Sequence, residues 1–185
     1  MAKRLRETET MNVRLVQVGI PKRLFFNLEE TVKELLRRYL DEYDFELCDE
    51  TENSLFSKQE TESGVFPFYF TVNESGNGFD LWLEMMEFPA DYTISDDMID
   101  LIELANRDIS DAEFIENGTG ILISPTSSRI PVTFHTVDDE LNRIVNLAED
   151  FAPVFREVFE RKISPEAAVE KVLQMWKIRE RRDQP

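Results

Sequence analysis

The chain has 185 residues and a formal net charge of −17, and 42% of its residues are apolar, 14 of them Phe. A chain of this length and apolar content can bury a core without a disulfide or a metal. The negative charge argues against binding to nucleic acid or anionic lipid. No apolar run reaches the roughly 18 residues that span a bilayer. A signal-peptide core is interrupted by Glu7, Glu9 and Asn12, so we expect a cytoplasmic protein.

Basic residues collect at both ends of the chain, so the body between them is even more negative than the whole. Lys3, Arg4 and Arg6 lie at the N-terminus. The basic tail at the other end contains Trp176, Lys177, Arg179, Arg181 and Arg182. The acidic body is either a solvated surface or one that holds a basic partner, and the tails could dock on an acidic neighbour. Only the basic tail has the chemistry of a nucleic-acid patch, so nucleic acid is not an expected partner.

The N-terminal region predicts an arm followed by a helix. Residues 1–24 are expected to form the arm, which contains the helix breaker Pro21. Asn27 and Glu30 have the spacing of a helix cap. From Leu28 to Tyr43 apolar residues recur at helical spacing, which predicts an amphipathic helix over 28–43. The main domain is expected to cover residues 25–160.

Alternating apolar residues then predict an antiparallel meander of three strands. The alternation begins near Phe45 and Leu47 and continues at Leu55 and Phe56, over residues 66–72 and over residues 79–86. Tyr69, Trp82 and Met86 should point away from the Phe-rich face of the sheet. Either a helix covers these three side chains, or they form an exposed aromatic groove for a partner.

A second helix should begin at the cap Ser95 and be followed by a hairpin. Met98, Leu101 and Ile102 extend the apolar surface of this helix beyond one face, which makes them candidates for self-association. Asn117 and Gly118 separate two apolar runs, the strongest short hairpin signal. Val132 and Phe134 suggest one more short extended piece after Pro131.

Two further helices complete the predicted fold. Thr136 and Asp139 have the spacing of a cap, and Pro153 should kink or divide the helix that follows. Ser164 and Pro165 open an added C-terminal helix over 164–182. We therefore expect an α+β fold with an antiparallel sheet of about five strands, in the order helix, three strands, helix, hairpin, helix.

No catalytic or metal-binding motif is evident, so no cofactor is expected. The chain lacks a nucleophile elbow, a phosphate loop and the calcium-loop spacing. With only Cys48 and His135, one chain cannot supply the usual ligands of a structural zinc site. We expect a core or surface thiol and a structural histidine. The acidic groups Asp96, Asp97, Asp100 and Asp138, Asp139, Glu140 are expected to cap helices, although a carboxylate-dependent enzyme stays an alternative.

Three stretches resemble the YbjN-type proteins of the type III secretion chaperone-like fold. They are residues 29–36 in the first helix, residues 97–106 ending at Asn106, and the hairpin from Phe114 to Ile123 with the helix after it. The resemblance covers roughly residues 25–160 and leaves out the C-terminal helix. It implies a small, non-catalytic, often dimeric regulator or chaperone that binds another polypeptide.

The expected function is therefore that of a protein-binding module, chaperone-like or adaptor and regulator. It would bind a polypeptide through an apolar surface of the sheet or a helix, and a homodimer is possible. The alternative from the residues alone is an acidic-surface regulator that binds a basic protein or mimics nucleic acid.

Overall fold

The computed structural model describes residues 31–110, 112–126 and 131–183. The elements of this part are, in chain order, α1 (Val32–Glu42), β1 (Asp49–Glu50), β2 (Ser54–Thr61), β3 (Gly64–Val72), β4 (Phe79–Glu87), α2 (Asp96–Asp108), β5 (Ala112–Glu116), β6 (Gly120–Pro125), α3 (Phe134–Phe159) and α4 (Pro165–Asp183). The predicted α+β class and element order are confirmed. The predicted N-terminal arm, residues 1–24, and the pair Asn27 and Glu30 lie outside the described residues.

The strands of the described part form one antiparallel sheet in the order β1-β2-β3-β4-β6-β5. The sixth strand, one more than about five, is the two-residue β1, which pairs with the start of β2. Phe45 and Leu47 lie before β1 and outside any strand, and they pack against the core instead. The hairpin predicted at Asn117 and Gly118 joins β5 to β6, with Gly118 at a φ of 86°.

The helices of the described part cover one face of this sheet. The Tyr39 ring of α1 lies 6.5 Å from the Phe70 ring of β3 and 5.7 Å from the Phe134 ring of α3. The Phe114 ring of β5 lies 4.9 Å from the Phe151 ring of α3. The Phe-rich strand face therefore meets α1 and α3 in the main core.

Two helix starts differ from those predicted. α1 begins after Thr31, whose hydroxyl accepts the Glu34 N–H at 3.3 Å while the Glu34 carboxylate accepts the Thr31 N–H at 2.8 Å. α3 begins after Thr133, whose hydroxyl accepts the Thr136 N–H while the Thr136 hydroxyl accepts the Thr133 N–H. The predicted cap of Thr136 and Asp139 is therefore wrong. Because Thr133 supplies a cap oxygen earlier, Phe134 starts a helix and does not lie in the extended piece expected with Val132.

Pro153 does not divide α3, which runs without interruption from Phe134 to Phe159. Its side chain is exposed. The Glu149 carbonyl loses its intrahelical donor here, and Glu149 is partly exposed. The expected division of the helix is therefore wrong, and a kink at Pro153 stays a prediction.

The added C-terminal helix packs on its own domain. Ser164 caps α4 as predicted, accepting the Ala167 N–H at 3.3 Å. Ala168, Val169 and Val172 are buried between α4, α2 and α3. Among the described residues, no helix is both long and apolar enough to cross a membrane.

Candidate protein-binding face

The sheet has a second surface, opposite the helices, which we call the open face. Along β3 and β4 the buried residues alternate with half-buried ones, because successive side chains of a strand point to opposite faces. No helix of the described part lies over the half-buried set. The apolar side chains on this side of the sheet are those of Phe56, Val65, Pro67, Tyr69, Trp82, Ile115 and Leu122.

An aromatic row crosses the open face. Phe56 of β2 stands opposite Tyr69 of β3, and Tyr69 stands opposite Trp82 of β4. The rings of Phe56 and Tyr69 are stacked, with centroids 4.7 Å apart and an interplanar angle of 21°. This separation matches the spacing of neighbouring strands, so β2, β3 and β4 present their aromatic side chains as one continuous strip.

Aliphatic side chains extend this strip along β3 and across to β6 and β5. Val65 of β3 is 53% exposed, a high value for an apolar residue in a central strand. Leu122 of β6 pairs with Ile115 of β5 on one side and with Glu84 of β4 on the other. The apolar surface therefore reaches across five strands, from β2 to β5.

Glu84 places a carboxylate inside this apolar surface. It lies two residues beyond Trp82 on the same side of β4 and opposite Leu122. Burial raises its pKa above the usual range, and the negative charge of Glu87 raises it further. Burial, followed by the charge of Glu84, also raises the pKa of Tyr69. Within the described residues no cation or hydrogen-bond donor satisfies the Glu84 carboxylate, so its charge is poorly compensated.

The remaining charges of the open face are mostly negative. Asp80 and Glu113 are exposed on the same side of the sheet. Lys58 is the one basic residue in the six strands of the described part. Its ammonium lies 2.9 Å from the Glu46 carboxylate, which keeps it beside the sheet edge and raises its pKa. The open face is therefore apolar at its centre and acidic overall.

The structure places two of the three predicted partner-binding residues on this face. Tyr69 and Trp82 point away from the Phe-rich face, as predicted, and no helix of the described residues covers them. Met86 does not join them. A β-bulge between Glu84 and Met86 interrupts the alternation, and the Met86 side chain packs against the core.

Sequence reasoning missed Phe56 and Glu84 as members of this face. Phe56 follows another apolar residue, Leu55, so the pair does not reveal which side chain faces outward. Glu84 resembles any polar residue of an alternating strand. Its desolvation becomes evident only from the register that sets it against Leu122.

The predicted self-association residues do not form a surface. Met98 and Leu101 are fully buried in the core of the chain itself, so the prediction is wrong for these two. Ile102 is half-buried and packs against that core. The apolar side chain that α2 does expose is Ile99, at 41%.

The basic tail begins with a side chain that is anchored. The Trp176 indole N–H donates to the Asp150 carboxylate at 2.6 Å, and its ring meets Phe151 edge-on at 6.0 Å. Lys177 is exposed, and the backbones of Arg179, Arg181 and Arg182 continue α4. Trp176 therefore fixes α4 to α3.

Cys48 and His135 have separate surroundings. The exposed Cys48 thiol donates to the Glu46 carbonyl at 3.5 Å, so of the two expected environments, core or surface, it occupies the surface one. His135 lies in the first turn of α3 with its side chain 81% exposed, 3.5 Å from the Asp139 carboxylate.

The two acidic groups have different roles. Asp96 and Asp97 occupy the first turn of α2 behind the confirmed cap Ser95, and Asp100 follows them one turn later. The second group does not cap α3, because that helix starts earlier. Asp138 accepts the Tyr39 hydroxyl at 3.0 Å, and Glu140 pairs with Arg143. In the part of the chain with described side chains, no three His, Cys, Asp or Glu residues are grouped to hold a metal.

Comparison of the chain with protein-family models, with curated proteins and with solved structures gave no match. The resemblance to the YbjN-type proteins and the dimeric state that it implies therefore stay predictions.

Proposed function

We propose that this chain is a non-catalytic protein-binding module, a chaperone-like or adaptor and regulator protein that takes a polypeptide on the open face of its sheet. The observation that supports the proposal best is the aromatic row of Phe56, Tyr69 and Trp82. Aromatic side chains are enriched at the centres of protein interfaces, where each one buries a large area on binding.

The extent of the open face also suits a macromolecular partner. A small-molecule site is normally concave, whereas these side chains stand on successive strands of a sheet. An apolar surface that continues from the aromatic row to Leu122 and Ile115 is of the kind that marks a protein interaction site.

The experiment that tests this function is affinity capture from the native lysate with three forms of the tagged full chain. They are the unaltered protein, the double variant Tyr69→Thr/Trp82→Thr, and the control Ile99→Thr, which removes an exposed apolar side chain from α2 instead. Threonine keeps a high strand propensity, so the double variant should fold, and circular dichroism and the melting temperature check this.

We expect one or a few proteins on the unaltered chain and on Ile99→Thr, and their loss from the double variant. Contacts to the aromatic row are mainly apolar, so part of the binding should survive high salt. A partner held equally by all three folded forms would place the binding site elsewhere and refute the proposal.

A second candidate function, favoured by the acidic residues of the open face, is that of a regulator that holds a basic protein or mimics nucleic acid. Asp80, Glu84 and Glu113 share this side of the sheet, and Lys58 is held by Glu46. Binding of this kind depends on charge over a distance, so the captured partner would be lost steadily as salt rises.

A further inference from the structure

Resting on the proposed function, we infer that the polypeptide segment bound on the open face presents an arginine, whose guanidinium pairs with Glu84 and stacks on the aromatic row. The ligand is recognised by a carboxylate placed beside aromatic rings. The occupant is a segment of another protein, apolar on either side of this arginine.

The charge of Glu84 is poorly compensated. Its carboxylate is partly desolvated, with Leu122 opposite it on β6, and the nearby Glu87 makes ionisation harder still. A Gln or Thr in this strand position would avoid that cost. A carboxylate in these surroundings is best compensated by a cation that arrives from outside the described fold.

Arginine fits the surroundings of Glu84 better than lysine does. Trp82 lies two residues before Glu84 on the same side of β4, and Tyr69 stands opposite Trp82. A guanidinium can lie flat on an aromatic ring while its N–H groups donate to a carboxylate. A lysine ammonium is compact and strongly hydrated, so it gains less from the same ring.

The charge around the site is negative. Asp80 and Glu113 are exposed on the same side of the sheet as the aromatic row. The single basic residue of the described strands, Lys58, is already paired with Glu46. A basic segment therefore approaches a face that attracts it. A second copy of this chain is disfavoured, since each copy carries −17.

The test is selection of random linear peptides, displayed on phage, against the immobilised full chain. The same library is applied to Glu84→Gln, to the charge reversal Glu84→Arg, to Tyr69→Thr/Trp82→Thr and to Ile99→Thr. We expect enrichment of arginine between apolar residues on the unaltered chain and on Ile99→Thr. We expect a shift toward acidic peptides on Glu84→Arg.

A selected peptide should bind Glu84→Gln about tenfold more weakly than the unaltered chain, the size of effect expected when a charge-assisted hydrogen bond is lost. Replacement of its arginine by lysine should also weaken binding to the unaltered chain. Removal of the desolvated charge should leave Glu84→Gln at least as stable, so weaker binding would not reflect misfolding.

Two outcomes overturn the inference, and they differ in what they leave standing. Apolar peptides without arginine, bound equally by the unaltered chain and Glu84→Gln but lost on Tyr69→Thr/Trp82→Thr, would remove the arginine and keep the binding face. A selection that gives the same peptides on every variant, or none on any, would remove both the inference and the proposed function.

Discussion

The side chain of Asn106 binds both backbone groups of Phe114. Its amide nitrogen donates to the Phe114 carbonyl at 2.9 Å, and its amide oxygen accepts the Phe114 N–H at 2.7 Å. Phe114 lies in the middle of β5, the last strand at one edge of the sheet. Asn106 therefore occupies the hydrogen-bonding groups that a further strand would need, in the way that natural sheets protect their edges.

Replacement of Asn106 by Ala should destabilise the fold and expose this edge. The two backbone groups of Phe114 lose their partners, and we expect a cost of about 1–3 kcal/mol in the free energy of unfolding. Chemical denaturation measures the cost, and light scattering at rising protein concentration measures self-association. Asn142→Ala on the exposed side of α3 is the control, and an equal loss there would contradict this role of Asn106.

Replacement of Glu84 by Gln should raise the melting temperature at neutral pH. Burial raises the Glu84 pKa above its ordinary 4.5, so the folded chain holds this proton to a higher pH than the unfolded chain does. The stability of the unaltered protein therefore falls as pH rises through the range between the two pKa values. The gain from Gln should be present above that range and vanish below pH 4.5. A gain that does not change with pH would contradict this origin.

Ionisation of Glu34 should stabilise the fold, in contrast to ionisation of Glu84. The Thr31 N–H, followed by the Thr31 hydroxyl, lowers the pKa of Glu34 below its ordinary 4.5. The ionised carboxylate therefore stabilises the start of α1 above that value, and this contribution is lost as pH falls through the lowered pKa. We expect Glu34→Gln to melt below the unaltered protein at neutral pH and to approach it in acid. Glu52→Gln, at an exposed position outside the helix, is the control.

Replacement of Trp176 by Phe should loosen α4 from α3. The variant keeps an aromatic ring near Phe151 but removes the N–H that Asp150 accepts. A hydrogen bond to a charged group contributes about 1.5–3 kcal/mol. The loss should appear in thermal unfolding and as faster amide exchange in α4. Ile178→Ala, two residues further along the same helix and 52% exposed, should change neither measurement.

The part of the fold that sequence could predict is the part with repeated apolar spacing. In β3 and β4, apolar side chains fill one face, so period and orientation are evident from the residues. The orientation of β2 is less evident from its sequence, because its second half is polar and Ser57 is fully buried. The Ser57 hydroxyl donates to the Glu46 carbonyl at 2.8 Å, which lets a polar residue occupy a core position.

The candidate site could be predicted only in part, since it depends on register across strands. Alternation within one strand gives the orientation of Tyr69 and of Trp82. It does not show that they stand opposite each other, or that Phe56 stacks on Tyr69. The bulge that separates Met86 from them arises from strand pairing around Gly120, where an added Cβ would lie 2.0 Å from the Met86 carbonyl oxygen.

The contacts between α1 and α3 join two parts of the chain that are synthesised at different times. The meander from β2 to β4 is closed by short turns, so it can form soon after it is made. Tyr39 of α1, however, meets Asp138 only across a separation of 99 residues. Translation takes about 5–20 s to cover that distance. During this interval Tyr39 lacks its contacts with Phe134 and Asp138 of α3, and a nascent chain that stalls before residue 134 would be a substrate for general chaperones.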